Sequence, residues 1–277
     1  MKKIGTLALT LALAGSLTVP ALAAEETAVP ISAGTGYGTA LVLNGETLDL
    51  TGIPGVEGGT LLPLRLLAEA DHGSAYWDES SNESWFTFGE NRITVRFADN
   101  TITVNDVPVN TTAEVHNGVT YVPASVFSGM DGFTVTSDAD AVTITTPNND
   151  PMVKLAYSIM ENSEMFGSRA YEDTLADAYK IPVDQFEQIV AFFPMITSPD
   201  TVIIGKLAEN ADEKAVTDAL EAYRQSQEDT FSWYLSQHLP KVQDARTVLE
   251  NGYLLFFIGE NADQADELFH TYVEAQG

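Results

Sequence analysis

Four histidines, forty acidic residues and three tryptophans are the side chains of this chain with the most chemistry to offer, and it has no cysteine. His72, His116, His238 and His270 never stand at i, i+4 from one another, and no His-Glu-x-x-His run occurs, so a zinc site has no framework. Without cysteine there are no thiolate nucleophiles, disulfides or thiolate metal ligands. Asp131-Gly132 followed by Asp138-Ala139-Asp140 is the nearest approach to a calcium loop. It lacks the alternating oxygen ligands and the closing glutamate, and Asp138–Asp140 reads instead as a turn between two strands. Glu221, Glu228 and Asp229 fall on one long helix as a solvated face. No Gly-x-Ser-x-Gly elbow, Ser-x-x-Lys pair or phosphate-binding glycine loop appears, and Gly34–Gly38 is a short flexible run. No cofactor is implied.

Binding chemistry remains. Arg65 either tethers its own helix to a carboxylate or carbonyl, or meets an anionic wall polymer. Trp77 packs behind the turn at Pro63 or stacks on a sugar ring. Trp85 and Phe86 are neighbours in a strand, so they point to opposite faces and one of them can face outward. Tyr223, Thr230, Phe231 and Tyr234 fit one buried stripe of a helix, which leaves Trp233 near its edge; a core role is expected for them, with a groove beside the helix for peptide or glycan as the alternative. Arg65, Trp77, Trp85 and Trp233 are therefore the candidate ligand-binding residues.

The elements that must position them begin after an export leader. Lys2 and Lys3, the apolar run Ile4–Leu17, Pro20 and the small-x-small Ala21-Leu22-Ala23 predict a signal peptide over 1–24. The run is too short to anchor the protein in a bilayer, and no cysteine follows it for lipid attachment. The mature protein is expected to be secreted, held at the cell wall by non-covalent contacts if at all, with no membrane insertion after signal cleavage. A net charge of −27 makes nucleic acid and anionic lipid poor partners. Residues 25–39 read as a flexible segment, 40–146 as a β-rich domain, 147–151 as a Pro-Asn-Asn-Asp-Pro linker, and 152–277 as a second domain.

The β-rich domain carries an internal repeat. Leu43-Asn44-Gly45-Glu46 recurs as Val104-Asn105-Asp106-Val107, and Leu61-Leu62-Pro63 as Tyr121-Val122-Pro123. In each copy a tight hairpin turn precedes a strand that ends at a proline opening a short helix, Leu64–Glu69 or Ala124–Phe127. Strands are predicted at Ala40–Leu43, Glu46–Leu50, Ser84–Phe88, Arg92–Phe97, Thr101–Val104 and Thr134–Thr145. The run Leu61–Glu69, then Gly73, then Tyr76-Trp77-Asp78 resembles the copper amine oxidase N-terminal-like domain. The second copy departs from that pattern, with Ala124-Ser125 in place of leucine-arginine and no second tryptophan. The resemblance implies a non-catalytic, stalk-like envelope module; the oxidase's copper and quinone machinery lies elsewhere in that enzyme.

In the second domain the periodicity predicts helices over Met152–Phe166, 170–180, Val183–Phe193, Asp212–Ser236 and Asp263–Ala275. Strands are predicted at Thr201–Leu207, Ala245–Leu249 and Tyr253–Ile258, the last two joined at Glu250-Asn251-Gly252. Three antiparallel strands backed by helices are expected. The helix Tyr223–Tyr234 and the strand from Asn251-Gly252-Tyr253 make residues 152–274 similar to an uncharacterised bacterial lipoprotein-type domain of unknown function. Its members are often lipid-anchored, through a cysteine that this chain lacks. The fold class is thus α+β in two domains: a duplicated, mostly-β module with short helices, then a helix-rich domain with a small antiparallel sheet. The expected function is non-catalytic binding or scaffolding at the cell envelope, toward wall glycan or another envelope protein. The alternatives are a carboxylate-dependent hydrolase with its site in the second domain, and a docking module for an exported partner. The sequence does not set the oligomeric state.

Overall fold

A computed structural model describes residues 40–54, 61–138, 141–194 and 197–276. The expected leader and flexible segment, and Ala139 and Asp140 of the expected turn, lie outside the described residues.

Among the described residues, the first half is built from twelve short strands. They are β1 (Ala40–Leu43), β2 (Glu46–Thr47), β3 (Leu61–Pro63), β4 (Ala75–Asp78), β5 (Glu83–Phe88) and β6 (Asn91–Arg96), followed by β7 (Thr101–Val104), β8 (Val107–Val109), β9 (Glu114–His116), β10 (Val119–Pro123), β11 (Thr134–Ser137) and β12 (Ala141–Thr145). Helix α1 (Leu64–Ala70) follows β3, and a 3-10 helix, Ala124–Gly129, follows β10. The sheets are β11-β12-β1-β2, β3-β10-β9 and β4-β5-β6-β7-β8.

The repeat has a spatial counterpart. β3 and β10 pair antiparallel with Leu62 opposite Val122, Leu61 opposite Pro123 and Pro63 opposite Tyr121, so the two prolines stand symmetrically about that central pair. The turns after β1 and β7 match as well, with φ of 52° and 89° at Asn44 and Gly45 and of 49° and 65° at Asn105 and Asp106. Two consecutive residues at positive φ give a hairpin turn whose twist suits the flanking strands. β2 is shorter than expected: beyond Thr47 the chain turns where Asp49 Oδ1 accepts from Thr51 N at 2.9 Å, while Leu48 and Leu50 still lean on the core. One cluster built on Leu41, Leu62, Leu67, Phe88, Ile93 and Phe127 fills the interior.

The second half holds α2 (Pro151–Asn162), β13 (Gly167–Ala170), α3 (Glu172–Asp177), β14 (Phe186–Pro194), β15 (Thr201–Leu207), α4 (Glu213–Phe231), α5 (Leu239–Gln243), β16 (Arg246–Glu250), β17 (Tyr253–Ile258) and α6 (Ala262–Glu274). Its sheet has five strands, ordered β13-β14-β15-β17-β16 and antiparallel throughout, rather than the expected three. Helices α2 and α6 cover one face, and α3, α4 and α5 cover the other. The helix expected over Val183–Phe193 is instead a 3-10 turn at Val183–Gln185 and strand β14. Its apolar run is buried on both sides, Val190 and Phe192 in one layer and Ala191 and Phe193 in the other. A strand covered on both faces has no polar alternation to betray it. The second helical stretch is likewise shorter, as Gly167–Ala170 pairs with β14 and only Glu172–Asp177 is α-helical.

The Pro-Asn-Asn-Asp-Pro stretch is a structured joint. Thr146 caps a 3-10 turn over Pro147–Asn149, and Asp150 caps α2 by accepting from Met152 N at 2.8 Å and Val153 N at 3.3 Å. Pro151 occupies the first turn of α2, where its missing N–H is no loss. The joint is tied back to the first half. Thr146 Oγ1 donates to the buried Asp71 carboxylate at 2.6 Å, Asn44 Nδ2 to the same oxygen at 3.0 Å, and Asn148 Nδ2 to Asp71 O at 2.8 Å. Burial pushes the Asp71 carboxyl above its usual range, against the lowering pull of those hydrogen bonds.

Candidate functional site

Sheet β4–β8 has one face on the core and one in solvent, and strand alternation assigns every side chain to one or the other. Phe86, Ile93, Val95 and Ile102 go inward. Outward, a cross-strand row runs through Tyr76, Trp85, Thr94 and Thr103, each directly opposite the next. Tyr76 and Trp85 stack, with ring centroids 5.3 Å apart and planes at 29°, and Tyr76 is 57% exposed.

Ion pairs border this row on both sides. Arg96 Nε donates to Glu83 Oε1 at 2.7 Å, and Trp85 Nε1 reaches Glu83 Oε2 at 3.4 Å. On the other side Arg92 Nη2 donates to Asp106 Oδ1 at 2.6 Å. The hydroxyls of Ser74 and Thr87 share a hydrogen bond of 2.9 Å. Together Glu83, Trp85, Arg92, Thr94, Arg96, Thr103 and Asp106 line a shallow depression of about 250 Å³. Such a surface can stack a flat apolar ring face on Tyr76 and Trp85 and offer fixed donors and acceptors around its rim. It contains no nucleophile with a base beside it.

Of the four residues singled out in the sequence, only Trp85 lies on this surface. Trp77 is next to Tyr76 in the chain and so points to the opposite face, where its ring meets Phe97 at 5.5 Å; at 38% exposed it is not the buried residue expected behind Pro63. Arg65 is exposed on α1, with no hydrogen bond or ion pair to a described residue. Trp233 lies just past the end of α4, 79% exposed and tilted against Tyr234 at 5.9 Å. The expected stripe on α4 is realised at Tyr223 and Phe231, whereas Thr230 and Tyr234 are exposed. Tyr76 is the aromatic member that sequence reading missed, and the framing residues Glu83, Arg92, Arg96 and Asp106 were not singled out either. The signal was there: a hairpin between β4 and β5 pairs Tyr76 with Trp85 across the strands, and alternation separates it from Trp77.

Among the described residues no three His, Asp or Glu side chains gather as a metal-ligand set, and no helix is long and apolar enough to cross a membrane. The two halves have separate family matches, which together point to an accessory or binding module. Residues 42–146 match the copper amine oxidase N-terminal domain, and residues 161–259 match a domain of unknown function (DUF4358). No curated protein and no solved structure matches the chain.

Proposed function

We propose that this chain is an exported, non-catalytic binding protein of the cell envelope, and that it holds wall glycan on the outer face of sheet β4–β8. The observation that carries this reading is the stacked Tyr76–Trp85 pair on the outer face of the sheet, Tyr76 exposed and Trp85 half-buried, framed by the Glu83–Arg96 and Arg92–Asp106 pairs. Sugar rings present an apolar face edged by hydroxyls, and this surface presents aromatic rings edged by charged donors and acceptors. The acidic net charge of −27 makes capture by simple charge attraction to an anionic polymer unfavourable, so recognition rests on stacking and directed hydrogen bonds. The second half then works as the part presented to an envelope partner.

The test is co-sedimentation of the whole chain with purified cell-wall sacculi across a range of salt. Retention that survives salt and weakens about tenfold or more in both Trp85→Ala and Tyr76→Ala supports the reading. Free passage of the wild-type chain, or equal retention of both variants, refutes it.

A further inference from the structure

The internal repeat is closed in one copy and open in the other. In the first copy the gap between the β1–β2 turn and the end of α1 is covered by polypeptide. Asp71 is 2% exposed there, with Thr146 Oγ1 at 2.6 Å and Asn44 Nδ2 at 3.0 Å donating to its carboxylate. Asn148 Nδ2 donates to its carbonyl at 2.8 Å, and Thr146 N to Asn44 Oδ1 at 2.8 Å. A Thr-Pro-Asn strap thus crosses the gap, supplying hydroxyl and amide donors around one aspartate.

Asp131 stands at the corresponding place in the second copy. It follows Pro123 at the same interval by which Asp71 follows Pro63, and the next residue has positive φ in both, His72 at 58° and Gly132 at 75°. The turn asparagine is engaged elsewhere in this copy. Asn105 gives Nδ2 to Asn91 Oδ1 at 2.9 Å and accepts from Arg92 N at 2.8 Å. Asp131 is left exposed, with no hydrogen bond to a described residue. Between it and the β7–β8 turn lies a notch of about 290 Å³, walled by Val107, Pro108, Val109 and Val126 with Ser125 on its rim. Val107 is 66% exposed and free to meet a ligand at the mouth of the notch. The strap of the first copy already runs to this edge, because a Cβ added to Gly132 would lie 2.8 Å from Pro147 Cγ. The strap therefore passes beside Gly132, the neighbour of the notch residue Asp131.

We propose that the notch docks a proline-containing peptide segment of a partner protein, whose hydroxyl and amide groups donate to Asp131 and whose apolar side rests on Val107 and Pro108. The first copy shows the chemistry such a segment uses, and Asp131 together with the chain's net charge of −27 selects a neutral or cationic one. This site is separate from the sheet face carrying Trp85, so the two proposals stand or fall independently.

The test uses the whole chain and a labelled peptide, Ile-Thr-Thr-Pro-Asn-Asn-Asp-Pro-Met-amide, which copies residues 144–152, with binding read by fluorescence anisotropy. Saturable binding with a roughly millimolar or tighter Kd is expected. Loss of the carboxylate that accepts those donors should weaken it about tenfold in Asp131→Ala. Val107→Asp, which places a charge on the apolar wall, should weaken it similarly, and Trp85→Ala should leave it unchanged. Both notch positions accept substitution without touching the core, and matching melting curves verify the fold. No saturable binding by the wild-type chain, equal binding of a scrambled peptide, or unchanged binding in both notch variants overturns the proposal.

Discussion

The imidazole of His72 lies flat on the phenol ring of Tyr157, centroids 3.7 Å apart and planes 9° from parallel. His72 sits in the turn after α1, and Tyr157 is on α2, so this contact spans the joint between the two halves. It lies beside the Asp71–Thr146–Asn148 hydrogen bonds, and His72 Nδ1 comes within 4.0 Å of Glu161 Oε1. Burial pushes the Tyr157 hydroxyl up to about 12, so it stays neutral under all ordinary conditions.

The joint should therefore unfold with the core. Thr146→Val keeps the shape of the side chain and removes the 2.6 Å donor to Asp71, leaving a buried carboxylate short of a partner. The expected cost is about 1–3 kcal/mol in urea denaturation. A loss below about 0.5 kcal/mol would show that the hydrogen bond contributes little.

Gly73 is the glycine on which the path from α1 into sheet β4–β8 depends. Its φ is not the constraint: an added Cβ would lie 1.8 Å from Thr87 O, a backbone atom of β5 that cannot swing aside. Gly73→Ala should displace β5 and cost about 1–3 kcal/mol, measured by thermal unfolding. Because Trp85 is on the same strand, retention on sacculi should fall with it.

Gly205 poses a milder version of the same problem. A Cβ there would meet the Phe186 ring at 2.4 Å, and Phe186 stands at the irregular step of the β14–β15 ladder. A side chain can turn away where a carbonyl cannot. Gly205→Ala should thus cost less than Gly73→Ala when the two are compared in one denaturant series.

His270 offers a pH test. Its hydrogen bond to Glu250 and the nearby charges of Glu250 and Glu274 raise its pKa above the usual histidine value. A raised pKa means that the folded state binds the proton more tightly. The stabilisation is then fully present below about pH 6.5, the ordinary histidine value, and is lost as pH rises through the folded pKa. The stability gap between wild type and His270→Gln should therefore be open at pH 5.5 and closed at pH 9, read from denaturation midpoints. In NMR titration the His270 pKa should fall back in Glu250→Gln.

Trp233 is 79% exposed, and its main ring neighbour is Tyr234. Trp233→Ser should shift stability by no more than about 0.5 kcal/mol. A larger loss in thermal melting would mean that the residue packs in solution.

Much of this architecture is legible from alternation and turn chemistry. Asn44-Gly45 and Asn251-Gly252 mark their hairpins because only certain residues tolerate consecutive positive φ. Trp85 and Phe86 divide between solvent and core as neighbours in a strand must. Asp150-Pro151 and Asp212 mark their helix starts by capping. β14 was hidden because a run apolar on both faces carries no period. The joint was hidden for a different reason: Asp71 and Thr146, or His72 and Tyr157, are brought together only by tertiary folding. A lone histidine in a glycine-flanked turn gave no hint of an aromatic partner across the joint. The candidate surface was half legible, since Trp85 could be named but its register partner Tyr76 needed the pairing of β4 with β5.

One pairing has a mechanical consequence. β1 runs parallel to β12, from Ala40 beside Ala141 to Leu43 beside Ile144. The chain enters this pair at one end through Ala40 and leaves it at the other toward α2. A pull between an N-terminal tether and the second half would load these ladder bonds side by side, in shear, instead of peeling them open in turn. Antiparallel hairpins such as β16–β17 have both chain ends on the same side and would unzip. Stretched in an optical trap from its two ends, the first half should yield at a higher force than the same domain pulled across the β4–β5 hairpin, and the reverse order would rule out a clamp at β1–β12.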